Sequence, residues 1–246
     1  MGHSDSKIVP QISNQLVQRG IPSVLCVSYK KGLSSKILVH ISEPEKEPIH
    51  SVSLPLGWYG RILLHDGPNA DSPVLAGSDV EGKWRTDFSI YLPPIPGLEN
   101  SERETLRSKG KVKECYWFGM QVGQGASRHI ERFKWRRSHG SEVKSVGESK
   151  YGWKLVRLGH DAEGPDDDNP NEKPDWENEI TNNGHEVVAV WAGSGDWGSM
   201  SKIGTFQLCG SGATDELGMQ WRIMALMSCL CFWQKTMRDS TTVAVS

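Results

Sequence analysis

The sequence predicts a mainly β protein, an antiparallel sheet closed into a barrel around a hydrophobic C-terminal α-helix. Three observations carry that prediction. From Gly20 onward, short runs rich in Val, Ile, Tyr, Phe and Trp recur between clusters of Gly, Pro, Asn, Asp and Ser, the pattern of strands and turns. No long amphipathic helix separates these runs, which argues for antiparallel sheet over alternating strand–helix units. The run from Ile223 to Trp233, IMALMSCLCFW, contains Ser228 as its single polar residue.

Taken in order, ten strands are expected. They are VLCVSY (24–29), KILVHI (36–41), RILLH (61–65), PVLAGS (73–78), DFSIYL (87–92), CYWFGMQV (115–122), IERFKWRR (130–137), GWKLVRL (152–158), HEVVAVWA (185–192) and IGTFQLC (203–209). Residues 1–19, polar and Pro-containing, read as a loosely held N-terminal arm. Residues 93–113 begin with two prolines and are rich in charge, and read as an excursion loop with room for one helical turn. Residues 160–184 carry many acids and almost no aliphatic side chains, so too little apolar area is available to offset ordering entropy; they read as a mobile insertion. One barrel domain over 20–238 and a tail over 239–246 complete the division.

The C-terminal helix is placed over 216–237. Met, Ala and Leu favour helix, and Asp215 and Glu216 before it with Lys235 and Arg238 near its end suit the helix dipole. A helix apolar on every face must be buried on every face. Eleven residues rise about 16 Å, roughly half of a ~30 Å hydrocarbon core, so the burial is expected inside protein. A ring of strands supplies the surrounding wall.

Composition bounds the function classes. The chain has 246 residues, 28 Lys+Arg against 30 Asp+Glu and a formal net charge of −2, unlike a basic nucleic-acid-binding domain. No apolar run reaches the ~20 residues of a membrane-spanning helix. The first thirty residues show no basic–apolar–small leader pattern, and five scattered cysteines suit a reducing compartment, so the expected location is the cytoplasm. Cys229 and Cys231 fall two apart on a helix and face apart, which makes them small buried hydrophobes instead of a metal pair.

The last sixty residues carry a resemblance. EVVAVWA, a spacer, KIGTFQL, GSGATDELG and WRIMALMSCLCFW together are similar to the ending of the tubby C-terminal-like superfamily, which includes tubby proteins, phospholipid scramblases and plant LURP-one-related proteins. RHIERFKWRRSHG followed by GWKLVRL resembles the central hairpin region of that group. The resemblance implies a closed antiparallel β-barrel of about 12 strands threaded by the C-terminal helix, two strands more than the pattern reading finds. It also implies recognition of phosphoinositides or other anionic lipids. The proline-rich arm and calcium-binding segment associated with scramblases are not evident in the sequence.

Arg132, Lys134 and Arg136 alternate with Phe133 and Trp135, so a strand here presents three cations on one face and two aromatic rings on the other. Segment 128–157 holds nine Lys/Arg and three Asp/Glu, a density suited to an anionic headgroup. Arg132, Lys134 and Arg136 are therefore the candidate headgroup ligands, with Arg128 and Lys154 as weaker members. The rival reading is a solvated outer face, or one covered by segment 160–186 with its ten acids and one lysine. Met1-Gly2 with Ser6 fits the N-myristoylation template, making Gly2 a candidate acylation site beside a bulky His3. Asp166 to Asn171 lacks the central glycine of a calcium loop, and Gly210-Ser211-Gly212 reads as a tight strand-to-helix turn. No nucleophile–base signature, metal-ligand spacing or cofactor motif occurs, so a non-enzymatic module without cofactor is expected. Its partners are anionic membrane lipids, with the chain peripheral at the membrane. The alternatives are a protein-interaction scaffold using 93–113 and 160–184, and a carrier of a small apolar ligand in a helix-grip-like fold.

Overall fold

In the computed structural model the described residues are 8–30, 37–81, 86–94, 103–109, 114–123, 127–147, 152–159, 184–194 and 201–243. Twelve antiparallel strands follow one another around the barrel: β1 (Val24–Tyr29), β2 (Leu38–Ser42), β3 (Pro48–Ser53), β4 (Ile62–His65), β5 (Val74–Glu81), β6 (Asp87–Tyr91), β7 (Arg103–Lys109), β8 (Cys115–Val122), β9 (His129–Ser138), β10 (Gly152–Gly159), β11 (Glu186–Gly193) and β12 (Lys202–Leu208). Each pairs with its neighbours in sequence, and β1 closes the ring on β12 with Leu25 opposite Phe206. Closure leaves no sheet edge unpaired. The ten strands expected from the sequence are all present, and β3 and β7 are the two that pattern reading missed. Residues 103–109, read as part of an excursion loop, are barrel wall: β7 pairs with β6 on one side and β8 on the other.

Helix α4 (Gly218–Val243) runs through the ring, two residues later at its start than expected and well past Trp233 at its end. Part of the expected 239–246 tail is thus helical. Every residue from Ile223 to Gln234 is buried, and the helix touches β4, β5, β6, β8 and β12. Inward side chains from all around the wall, among them Val27, Val39, Leu64, Ile90, Leu106 and Phe133, meet it at zero exposure. Each such side chain contributes about 1.5–3 kcal/mol of burial, so helix and wall stabilise each other. Phe232 packs against Tyr116, Trp135 and Trp153, with ring centroids 4.9–5.5 Å apart.

Several polar groups inside this core are paired, while Trp221 Nε1 has no hydrogen-bond partner. Trp135 Nε1 of β9 donates to Ser228 Oγ at 2.7 Å, and that hydroxyl donates to Ala225 O at 2.8 Å. Gln220 and Gln234 plug the two mouths, their amides donating to Pro93 O and Gly60 O. Cys229 and Cys231 are wholly buried in α4; burial pushes the Cys231 thiol up to about 12 and raises Cys229 as well. Both stay protonated and pack as apolar groups.

The N-terminal residues that the structure describes depart from the expected loose arm. Helix α1 (Asn14–Arg19) is capped by Ser13, whose Oγ accepts from Leu16 N, and Leu16 is fully buried. Gln11 N donates to Val74 O, and the Ile8 side chain lies against Gly77, so this segment runs over the outside of β5. A Cβ at Gly77 would come within 2.9 Å of Ile8, so the missing side chain makes room for the segment.

Candidate functional site

β9 alternates as its sequence predicts. Glu131, Phe133 and Trp135 are buried and face inward, whereas Arg132, Lys134 and Arg136 lie half-buried on the outer face. The Trp135–Ser228 hydrogen bond ties this strand to the central helix, so the three cations stand on a rigid backing. Alternate residues on a strand lie about 6.6 Å apart, a spacing that lets three side chains converge on one polyanionic group.

Cross-strand register builds the rest of the face. Arg132 sits opposite Gly119 of β8 and Gly159 of β10, with the exposed Ile130 side chain over Gly119. Lys134 lies opposite Trp117 on one side and Val156 on the other. Beyond Trp117 stands Arg107 of β7, its guanidinium carbon 4.8 Å from the indole centroid. Arg107 and Trp117 thus join Arg132, Lys134 and Arg136 on one outer surface. Sequence reasoning missed both: Arg107 because β7 was read as loop, Trp117 because which strand lies beside β9 is a tertiary fact. The single apolar residue of that strand, Leu106, was the available trace of β7.

The weaker candidates separate. Lys154 shares the outer face, opposite Arg136, but its exposure is 0% because α2 (Ser141–Val146) lies over it. Its Nζ is 3.7 Å from Glu142 Oε1, and Val143 of the same helix packs with Val190 and Ala192 in a small outer core. Lys154 is therefore a buried ion-pair partner and no headgroup ligand. Arg128 stands half-buried just before β9. Gly2, the Asp166–Asn171 stretch and residues 160–183 of the acidic insertion lie outside the described residues.

Arg137 and Arg157 of the basic segment hold carboxylates. Arg137 reaches Glu114 at 3.3 Å and lies over the Trp153 ring. Arg157 donates to Glu131 at 2.6 Å and to Glu216 at 2.5 Å, and Glu131 first, then Glu216, raise its already high pKa; Glu186 lies at 3.6 Å. Gly210-Ser211-Gly212, expected as a turn, lies in the short helix α3 (Gly210–Ala213), where Ser211 N and Oγ both donate to the Glu186 carboxylate. A Cβ at Gly212 would fall 2.2 Å from Val188 O, so this segment can pack this close only as glycine.

A second polar cluster joins β3 and β4. Ser53 Oγ and His65 Nε2 are 2.8 Å apart, and His65 Nδ1 is 2.9 Å from Ser72 O. His50 Nδ1 bonds His65 O, and Ser51 Oγ donates to Gly67 O. These bonds all fasten the turn over 66–73 to the sheet. Among the described residues, no group of three His, Cys, Asp or Glu is placed to hold a metal ion, and no helix is long and apolar enough to cross a membrane. Comparisons with protein-family models, with curated proteins and with solved structures find no match to this chain.

Proposed function

We propose that this protein is a non-enzymatic intracellular module, a tubby-like barrel that binds anionic phospholipid headgroups, phosphoinositides among them, and sits peripherally on the cytoplasmic leaflet. The observation that carries the reading is the outer face of β7–β9, where Arg107, Arg132, Lys134 and Arg136 surround Trp117. Guanidinium groups bind phosphate oxygens in a bidentate fork, and Gly159 beside Arg132 leaves an inositol phosphate room to approach it. The negative potential of an anionic leaflet contributes about 1 kcal/mol for each Lys or Arg held near its surface. Trp117 supplies an amphipathic ring suited to the headgroup layer.

Co-sedimentation with phosphatidylcholine vesicles, with and without phosphatidylinositol bisphosphate, tests the reading. Binding is expected only to the anionic vesicles, weakening steeply with added salt. Replacing Arg132, Lys134 and Arg136 together by Ala should reduce it at least about tenfold, equivalent to ~1.4 kcal/mol. Equal binding to both vesicle types, or an unchanged triple variant, would refute it.

A further inference from the structure

We infer that the barrel rim at the C-terminal end of α4 is a second lipid contact, at which Leu56 and Tyr59 insert among the headgroups of an anionic bilayer. The partner rests on the lipid reading above; the observations come from a different surface, on the far side of the ring from β9.

The connection from β3 to β4 reads Leu54-Pro55-Leu56-Gly57-Trp58-Tyr59-Gly60 and carries no charge before Arg61. Leu56 is 67% exposed and Tyr59 53% exposed. The connection is nevertheless braced. Gly57, at φ +67, opens a 3-10 turn over 57–59, and its N–H donates to Leu54 O at 3.0 Å. Trp58 stands edge-on against Trp233 with centroids 5.4 Å apart, and Gln234 Nε2 donates to Gly60 O at 2.8 Å. A slack loop would fold its apolar side chains inward. This one is held so that they stay in water, and a fixed apolar projection of that kind marks a contact surface.

Charge selects the partner. The turns at the opposite rim, where α4 begins, carry Glu43, Glu45 and Glu47 against Lys46, Asp66 beside Arg19, Asp71, Asp215 beside Arg222 and Glu216 beside Arg157, so there acids outnumber cations. The rim bearing Leu56 carries Lys30, Lys109, Arg137, Lys144, Lys202, Lys235 and Arg238 against Glu81, Asp87, Glu114, Glu142 and Asp239, so there cations outnumber acids. A barrel polarised along its axis turns its basic end toward an anionic surface. A leucine and a tyrosine projecting from that end match the acyl boundary and the headgroup layer.

The test compares Leu56→Glu and Tyr59→Glu with Val17→Glu, an equal charge change at a 56%-exposed position on α1. Binding to phosphatidylcholine vesicles containing phosphatidylserine and phosphatidylinositol bisphosphate is measured by co-sedimentation, with thermal melts to show that each variant is folded. Each rim variant is expected to bind about tenfold more weakly, and Val17→Glu within about twofold of the parent. Rim variants within twofold of the parent, or an equal fall for Val17→Glu, overturn the inference. Loss of binding in the Arg132, Lys134 and Arg136 triple variant with none in Leu56→Glu overturns the rim alone; the reverse pattern overturns the strand face alone. A parent protein that binds no vesicle overturns both and leaves the apolar rim to a protein partner.

Discussion

Replacing Ser228 by Ala probes the contact on which helix and wall depend. In the native core the Ser228 hydroxyl accepts from Trp135 Nε1 at 2.7 Å, and both residues are at zero exposure. Removing the oxygen leaves an indole N–H with no water to turn to, which costs about 1–3 kcal/mol. Ala225 O, the acceptor of the lost hydroxyl proton, still has Cys229 Sγ at 3.5 Å. Alanine also returns up to about 0.5 kcal/mol of helix propensity. The net expectation is a loss of about 1–2 kcal/mol, read as a lower urea midpoint and a Tm lowered by roughly 2–8 °C for a chain of this length. The same substitution in a Trp135→Phe background removes no partner from a buried donor, so there it should cost far less. A Ser228→Ala protein within about 0.5 kcal/mol of the parent, or one equally destabilised in both backgrounds, would refute the claim that this hydrogen bond pins β9 to α4.

Three further outcomes follow from the buried charges. Burial, with the Arg19 guanidinium nearby, holds His50 down at about 4, while an unfolded histidine titrates near 6.5. The unfolded chain therefore takes up its proton first: this contribution is whole above about pH 6.5 and falls by about 3 kcal/mol as pH drops through 4, a slope that His50→Gln should flatten in urea titrations at several pH values. Burial raises Glu104 to about 7, so its contribution is present below about pH 4.5 and lost as pH rises through 7. Glu104→Gln should match the parent at pH 4 and exceed it at pH 8, by about 1 kcal/mol after discounting for partial exposure; an equal gain at both pH values would contradict this. Lys154→Met should leave vesicle binding unchanged while lowering stability, because it removes the buried cation that faces Glu142 and leaves that carboxylate without its lysine. Weakened vesicle binding in a folded Lys154→Met protein would return Lys154 to the lipid site.

How far the sequence reaches is visible strand by strand. β8 and β9 declare themselves because β8 is dense in large apolar residues and β9 alternates cations with aromatic rings from Arg132 to Arg136. β7, RETLRSK, places only Leu106 deep in the wall, and its other inward positions, Glu104 and Ser108, fall near the ends of the barrel. β3, PIHSVS, hides for another reason: His50 and Ser51 are buried, but under the turn over 66–73 and the Arg19 side chain instead of under apolar neighbours. Polar groups satisfied by distant hydrogen bonds leave no hydrophobic period behind. The ionic site shows the same division. Alternation placed Arg132, Lys134 and Arg136 on the outside, and all three are on the outer face. That α2 folds down over Lys154 while leaving the β9 row half open depends on Val143 finding Val190 and Ala192 across two strands.

The amino-acid sequence by itself determined the strand-rich class, the inward and outward sides of most strands, and the burial of IMALMSCLCFW on every side. These are local consequences of the two-residue period of a strand and of a helix with no polar face. Only the tertiary structure decided the twelfth-to-first closure, the companions of each cation, and which outer positions are covered. Those depend on contacts between residues far apart in the chain, and local periodicity carries no information about which neighbour a face will meet.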